Sequence, residues 1–335
     1  MTRCIIVSMN EKYVPYFSVL LASIQKNTES GGDYEIVVLH DNLRDECQNR
    51  LYGMIVRNDI RARFFNVHDS MQGYQFFVNG TGNRSYLSIE AYFRLLAPHL
   101  LPEYRTALYL DCDIVVRPGW DKIFQTELEE YLLAGIQDIW GNWECYDKRS
   151  KLYQYRQNVL GLENPVDYFN SGVMLLNLEL MRDTFREGEM IEIAASGEWQ
   201  KHDQDVLNYV CKGKVLFLDY SWNMIECPGR RARNAVPEQE YQIYEKSMEN
   251  PKIIHYASRK PWIIKGVFFE RDSWAAASHS VYFQELFTPF IEEQLTQGGC
   301  FEERAYASIR SGKIGVKFIV RCIFVWIRKT LNKSG

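Results

Sequence analysis

One stretch, Leu108-Tyr109-Leu110-Asp111-Cys112-Asp113-Ile114-Val115-Val116, restricts this chain more than any other. It reads as an apolar strand that ends in two acidic residues one position apart. Side chains alternate across a strand, so Asp111 and Asp113 are expected to point the same way. Two carboxylates on one side of a strand end can hold Mn²⁺ or Mg²⁺ through oxygen ligands. Such a cation can clamp a diphosphate. The plainer reading is two solvated loop acids.

The rest of the chain supplies a context for that strand. Its 335 residues, 46% of them apolar, suffice for one α/β domain with a C-terminal extension. The net charge of −4 gives no sign of bulk nucleic-acid binding. Cys4, Cys47, Cys112, Cys145, Cys211, Cys227, Cys300 and Cys322 are scattered, without a C-x-x-C pair, which argues against a zinc site. The chain opens directly on a strand-like Cys4-Ile5-Ile6-Val7 rather than on a leader, so a cytoplasmic location with free thiols is expected. No apolar stretch reaches the ~20 residues that span a bilayer.

The first 140 or so residues alternate strand-like and helix-like pieces, which predicts a mostly parallel sheet with helices on both faces. Strands are expected at 4–8, 34–39, 62–67, 106–110 and 132–137, and helices at 14–24, 45–57 and 89–96. Farther on, 172–177 has a buried-strand pattern, 203–210 reads as a helix and 214–218 as a strand. Residues 228–250 are polar and loop-rich, and Ile253-Ile254-His255-Tyr256 is a short strand ending on a histidine. Ligands of open α/β sheets bind beyond the carboxyl ends of the strands. Asp111, Asp138 and His255 are all expected at such ends.

Four blocks carry a resemblance. They are Tyr109-Leu110-Asp111-Cys112-Asp113-Ile114-Val115-Val116, Tyr168-Phe169-Asn170-Ser171-Gly172-Val173-Met174-Leu175-Leu176-Asn177-Leu178, Asp203-Gln204-Asp205-Val206-Leu207-Asn208 and His255-Tyr256-Ala257-Ser258-Arg259-Lys260-Pro261-Trp262. In this order they resemble glycosyltransferase family 8, especially its bacterial lipopolysaccharide galactosyl- and glucosyltransferases, over roughly residues 3–274. The resemblance implies a GT-A fold (a Rossmann-like, mixed, mostly parallel sheet flanked by helices) over 1–275, followed by a helical extension over 276–335. It also implies a UDP-glucose or UDP-galactose donor, a saccharide or lipid-linked saccharide acceptor, bound Mn²⁺ or Mg²⁺, and retention of anomeric configuration.

By the same resemblance, Asp111, Asp113 and His255 are the metal ligands, a set of hard oxygens and one imidazole that suits Mn²⁺. Lys260 reaches the diphosphate as a point charge. Tyr13 stacks on uracil, in an opening segment where Asn10 stands in place of the family's usual acid. Arg94 lies near the donor sugar and its acidic neighbours. Asp138, Asn170, Asp203 and Gln204 surround the transferred sugar, whose hydroxyls carboxylates and amides can bind. Gln204 lies nearest the reacting face. An amide is a poor nucleophile, so front-face displacement is favoured over a covalent intermediate. Aromatic residues in 74–86 and 140–157 could stack on an acceptor or simply pack.

The last 25 residues, 311–335, hold six Lys and Arg and no acids. Lys313, Lys317, Arg321 and Arg328 recur at helical spacing beside Ile314, Phe318, Val325 and Trp326. A cationic amphipathic helix lies on an anionic membrane surface, which predicts a peripheral protein at the inner face of the membrane. Two other readings remain: a non-catalytic sugar-nucleotide-binding protein, and a haloacid-dehalogenase-like phosphatase, whose motif also begins Asp-x-Asp.

Overall fold

The computed structural model describes residues 2–29, 31–76 and 89–296. The basic tail at 311–335 and most of the 74–86 aromatic segment lie outside the described residues. A seven-stranded sheet runs through the molecule in the order β3-β2-β1-β4-β7-β6-β8. Its strands are β1 (Arg3–Ser8), β2 (Tyr34–His40), β3 (Ile60–Asn66), β4 (Thr106–Leu110), β6 (Leu133–Gln137), β7 (Phe169–Asn177) and β8 (Val215–Leu218). Successive residues of the central strands enter opposite cores. Ile5, Val7, Leu108, Leu110, Val173 and Leu175 face one, while Cys4, Ile6, Ala107, Tyr109, Met174 and Leu176 face the other. Helical segments cover both faces, which is why these strands read as continuous apolar runs.

All the strands run one way except β7, which is antiparallel to both β4 and β6. Because β7 runs backwards, its first residues lie at the edge where its neighbours end. Val173 pairs with Leu110, and the Asp111 amide donates to the Gly172 carbonyl at 2.9 Å. Between β6 and β7, Gly135 pairs with Met174 and Ile136 with Asn170, so Ser171, Gly172 and Val173 have no partner on β6. Such bulges re-aim side chains beside functional sites.

A second, three-stranded sheet of β5 (Ile114–Val116), β9 (Met224–Ile225) and β10 (Ile253–His255) has the order β5-β10-β9. Asp111, Cys112 and Asp113 therefore form a turn between two sheets rather than one continuous strand. The two acids share a side because the chain turns, not because strand side chains alternate. Cys112 points away, toward the Ser8 carbonyl at 3.5 Å.

Residues 228–250 are not loop-rich. They hold the helices Arg230–Ala235 and Glu238–Met248. The second presents only a thin apolar stripe, with Tyr244 buried and Tyr241 and Met248 packed on the core, so polar residues dominate its sequence. The helix at 45–57 stops at Tyr52, where Gly53 follows. The C-terminal helices Glu270–Ala277 and Phe283–Thr296 follow the second sheet. Ala276, Ala277 and Leu286 are buried with Val19, Val115 and Tyr256. Among the described residues no helix is long and apolar enough to cross a membrane, and all six cysteines are free.

Candidate active site

Strand order reverses between β1 and β4, and the crevice beyond their carboxyl ends is where open α/β sheets bind ligands. Asp111 follows β4 there, and Asp113 precedes β5. Antiparallel pairing sets His255 opposite Ile114, the residue after Asp113. The Tyr256 amide also donates to the Asp113 carbonyl at 2.9 Å, which locks the two segments together. As a result, one ligand atom each from Asp111, Asp113 and His255 lie within 4.8 Å of one another. His255 Nε2 stands 3.3 Å from Asp113 Oδ1 and 3.7 Å from Asp111 Oδ2. Gly172 makes room for this approach. A Cβ there would come within 2.7 Å of Asp111 Oδ2 and closer still to the His255 ring.

These residues fit a divalent cation. Two carboxylates and an imidazole nitrogen are a donor set for Mn²⁺, and a positive charge already stands beside them. The Lys260 ammonium contacts Asp113 and donates to the Tyr256 carbonyl at 2.5 Å. Burial raises the Asp113 carboxyl, but the Lys260 ammonium beside it outweighs that and holds the group well below the usual carboxylate range.

Arg94, at the end of the 3₁₀ segment Ile89–Leu96, is buried rather than on a helix surface. Its guanidinium lies 4.1 Å from the centre of the Tyr109 ring. It donates to Asp111 Oδ1 at 2.9 Å, to the Ser171 carbonyl at 2.6 Å and to the Ala91 carbonyl at 2.9 Å, and lies 3.3 Å from Asp203 Oδ2. A rigid fork of five donors suits this task, which a lysine could not perform. Asp203 opens the helix Asp203–Val210 and also accepts from Ser171 Oγ at 3.2 Å. Burial pushes its carboxyl up to about 6 despite the pull of Arg94, with the Asp111 charge adding to the rise. The preceding residue, His202, holds φ at +53°, a costly value for a non-glycine residue, where the chain turns into this helix.

Gln204, Asn170 and Asp138 form one hydrogen-bonded group. Gln204 Oε1 accepts from Asn170 Nδ2 at 3.1 Å and from the Ser171 amide at 3.0 Å, and its Nε2 donates to Asp138 Oδ2 at 3.2 Å. Asp138 Oδ1 caps the following turn by accepting from the Gly141 amide at 2.9 Å. Tyr13 is half-buried; burial first, then the nearby carboxylates of Asp113 and Asp111, push its hydroxyl up to about 12. Its ring lies edge-on to Tyr16 at 5.7 Å, and Tyr16 stacks on Trp262 at 4.4 Å. Asn10 caps the short turn Glu11–Tyr13 by accepting from the Lys12 amide at 3.0 Å. Of the 140–157 aromatics, Trp140 is a packing residue: it is buried against Tyr244 and donates to the Ile225 carbonyl.

Asn223 is a member of this site that the sequence did not single out. It is buried, accepting from His255 Nδ1 at 2.9 Å and donating to Asn170 Oδ1 at 2.9 Å. A lone asparagine after Ser221-Trp222 carries no motif, and only the pairing of β9 with β10 brings it beneath His255.

The family described as Glycosyl transferase family 8 matches residues 4–265. Glycosyltransferase GlyB of Streptococcus pneumoniae is 30% identical over 190 residues, 56% of this chain and 42% of that protein. Lipopolysaccharide 1,2-glucosyltransferase of Escherichia coli K12 is 30% identical over 176 residues, 51% of this chain and 48% of that protein. The chain thus spans less than half the length of either relative. Among solved structures, the bifunctional glycosyltransferase WbbM superposes with a TM-score of 0.75 at 24% identity, over 86% of this chain and 51% of that one. Galactosyltransferase LgtC, solved with donor and acceptor sugar analogues, gives 0.65 at 22% identity, over 83% and 96%. These likenesses establish the GT-A fold. With the family match spanning both sheets and every residue of the crevice, the chain belongs to glycosyl transferase family 8.

Proposed function

We propose that the protein is a retaining hexosyltransferase that moves glucose or galactose from a UDP-sugar to a saccharide of a lipopolysaccharide or other surface glycan. The observation that carries this reading is the convergence of Asp111, Asp113 and His255 beside the Asn170–Gln204–Asp138 group, at the strand ends where a diphosphate and its sugar would meet. Asp111, Asp113 and His255 would hold Mn²⁺ or Mg²⁺, which when bound stabilises the charge of the departing diphosphate as a Lewis acid. Lys260 adds a second positive charge, moving from Asp113 to a phosphate oxygen. Tyr13 supplies a face for uracil.

Asp138, Asp203 and Asn170 orient the sugar hydroxyls. Gln204 positions the reacting face and does not attack it. Both ends of its amide are already engaged, and an amide oxygen is weakly nucleophilic. The acceptor hydroxyl attacks the anomeric carbon from the side that UDP leaves, and its proton passes to the leaving phosphate oxygen. The buried Arg94 holds Asp111 and Asp203 in place and partly offsets the cost of burying the Asp203 charge.

Family membership and the Gln204 group favour transfer over sugar-nucleotide binding without catalysis, and also over phosphatase chemistry. The basic residues at 311–335 would tether the enzyme to an anionic membrane that carries its acceptor. The test is UDP release from a panel of nucleotide sugars with Mn²⁺. UDP release confined to UDP-hexoses supports the reading, whereas binding without release from any donor overturns it.

A further inference from the structure

We propose that Asn223 is a positioning residue that sets which nitrogen of His255 faces the cation. The inference rests on the metal reading above but adds a residue and a role to it.

The argument is one of hydrogen-bond direction. An amide side chain has an accepting end and a donating end, and a backbone N–H can only donate. The Gly172 amide donates to one end of the Asn170 side chain at 3.0 Å, so that end is Oδ1. Asn223 meets the same oxygen at 2.9 Å and must present its Nδ2 there. Its other end, Oδ1, then lies 2.9 Å from His255 Nδ1. An amide oxygen only accepts, so Nδ1 carries a hydrogen. In the neutral ring, the form that can bind a cation, the nitrogen left with a lone pair is then Nε2, the one facing Asp111 and Asp113. The far end of the group obeys the same logic. The Ser171 amide fixes Gln204 Oε1 as an acceptor, which turns Gln204 Nε2 toward the Asp138 carboxylate. Reversing Asn223 would set its oxygen against that of Asn170. Two backbone amides of the β7 bulge thereby orient both the group around the transferred sugar and the metal-binding histidine. Partners of this kind behind a metal-bound histidine typically contribute ten- to a hundredfold in affinity.

The test measures Mn²⁺ dissociation constants in the presence of UDP, by the electron paramagnetic resonance of free Mn²⁺, for wild type, Asn223→Ala and Asn223→Asp. Asn223→Ala should bind Mn²⁺ roughly ten- to a hundredfold more weakly. Asn223→Asp keeps an oxygen against Nδ1 and should bind at least as tightly as wild type, while losing turnover because Asn170 loses its donor. A purely structural role for Asn223 would lower the melting temperature without changing the constant. A second readout is the ¹⁵N spectrum of histidine-labelled wild type with Mg²⁺ and UDP, with His255→Gln locating the signal. It should show hydrogen on Nδ1 and none on Nε2. An unchanged constant in Asn223→Ala, an Asn223→Asp variant as weak as Asn223→Ala, or hydrogen on Nε2 overturns the proposal. If Asn223→Ala does not fold, Asn223→Asp and the wild-type spectrum decide it. Failure of wild type to bind Mn²⁺ would instead overturn the metal reading, and the metal-free spectrum would still decide whether Nδ1 carries hydrogen.

Discussion

Replacing Arg94 by Met exposes the electrostatics of the site most sharply. The side chains of Arg94 and Asp203 are 5% and 8% exposed, so their pairing is screened little by water. Removing one partner of a buried pair costs about 3–5 kcal/mol, because the other charge is left uncompensated. Asp203 can escape that cost by taking up a proton. Its folded-state carboxyl is already pushed up to about 6, above the ordinary value of 3.8, so the folded chain holds a proton that the unfolded chain has released. A raised folded value means that stability falls as pH rises through this window. Without Arg94 the carboxyl rises further, and the fall continues to higher pH. Arg94→Met should therefore cost on the order of 3–5 kcal/mol at pH 8 and distinctly less at pH 5, where Asp203 is mostly neutral in both proteins. Adding Asp203→Asn should recover much of the loss at pH 8. The assay is guanidinium unfolding of metal-free protein at both pH values, arranged as a double-mutant cycle. A loss independent of pH, and additive with Asp203→Asn, would refute the reasoning.

Other outcomes follow from the same geometry. Gly172→Ala places a Cβ against His255 and Asp111. It should weaken Mn²⁺ binding at least about tenfold while costing only about 1–3 kcal/mol of stability, as overpacking does; calorimetric titration and thermal melts check both. Lys260→Ala should raise the KM for UDP-sugar by roughly tenfold or more, the worth of one charge-assisted hydrogen bond, with the circular dichroism spectrum unchanged. Deleting residues 311–335, with six basic residues worth roughly 1 kcal/mol each at an anionic surface, should release the protein from phosphatidylserine vesicles with UDP-sugar hydrolysis retained. Unaltered vesicle binding would remove the membrane role of the tail.

Where the sequence was legible, a physical signature was confined to a few neighbouring residues. Apolar runs ending on Asp111, Asp138 and His255 announced strands delivering polar groups; Asp111 and Asp138 lie at one edge of the main sheet, and His255 approaches Asp111 from the second sheet. Direction was not legible. An apolar run such as Gly172–Asn177 reads the same forwards and backwards, so nothing marked β7 as the antiparallel strand whose start carries Asn170 and Ser171 to the site. Nor could alternation along one strand reveal that Asp111-Cys112-Asp113 turns from one sheet into another. The helix Glu238–Met248 was hidden because it buries so little. Arg94 was recognisable as a neighbour of acids, but its burial over Tyr109 depends on packing between distant segments. Asn223 was invisible because its role exists only through its partners.

The central claim is that two acids and a distant imidazole hold one divalent cation against a nucleoside diphosphate. Calorimetric titration of Mn²⁺ into the protein with saturating UDP tests it most directly, alongside Asp113→Ala and His255→Ala. One Mn²⁺ per wild-type chain, with binding lost in both variants while their melting curves still show a folded protein, is the outcome expected. Undiminished Mn²⁺ binding in either variant would contradict the account.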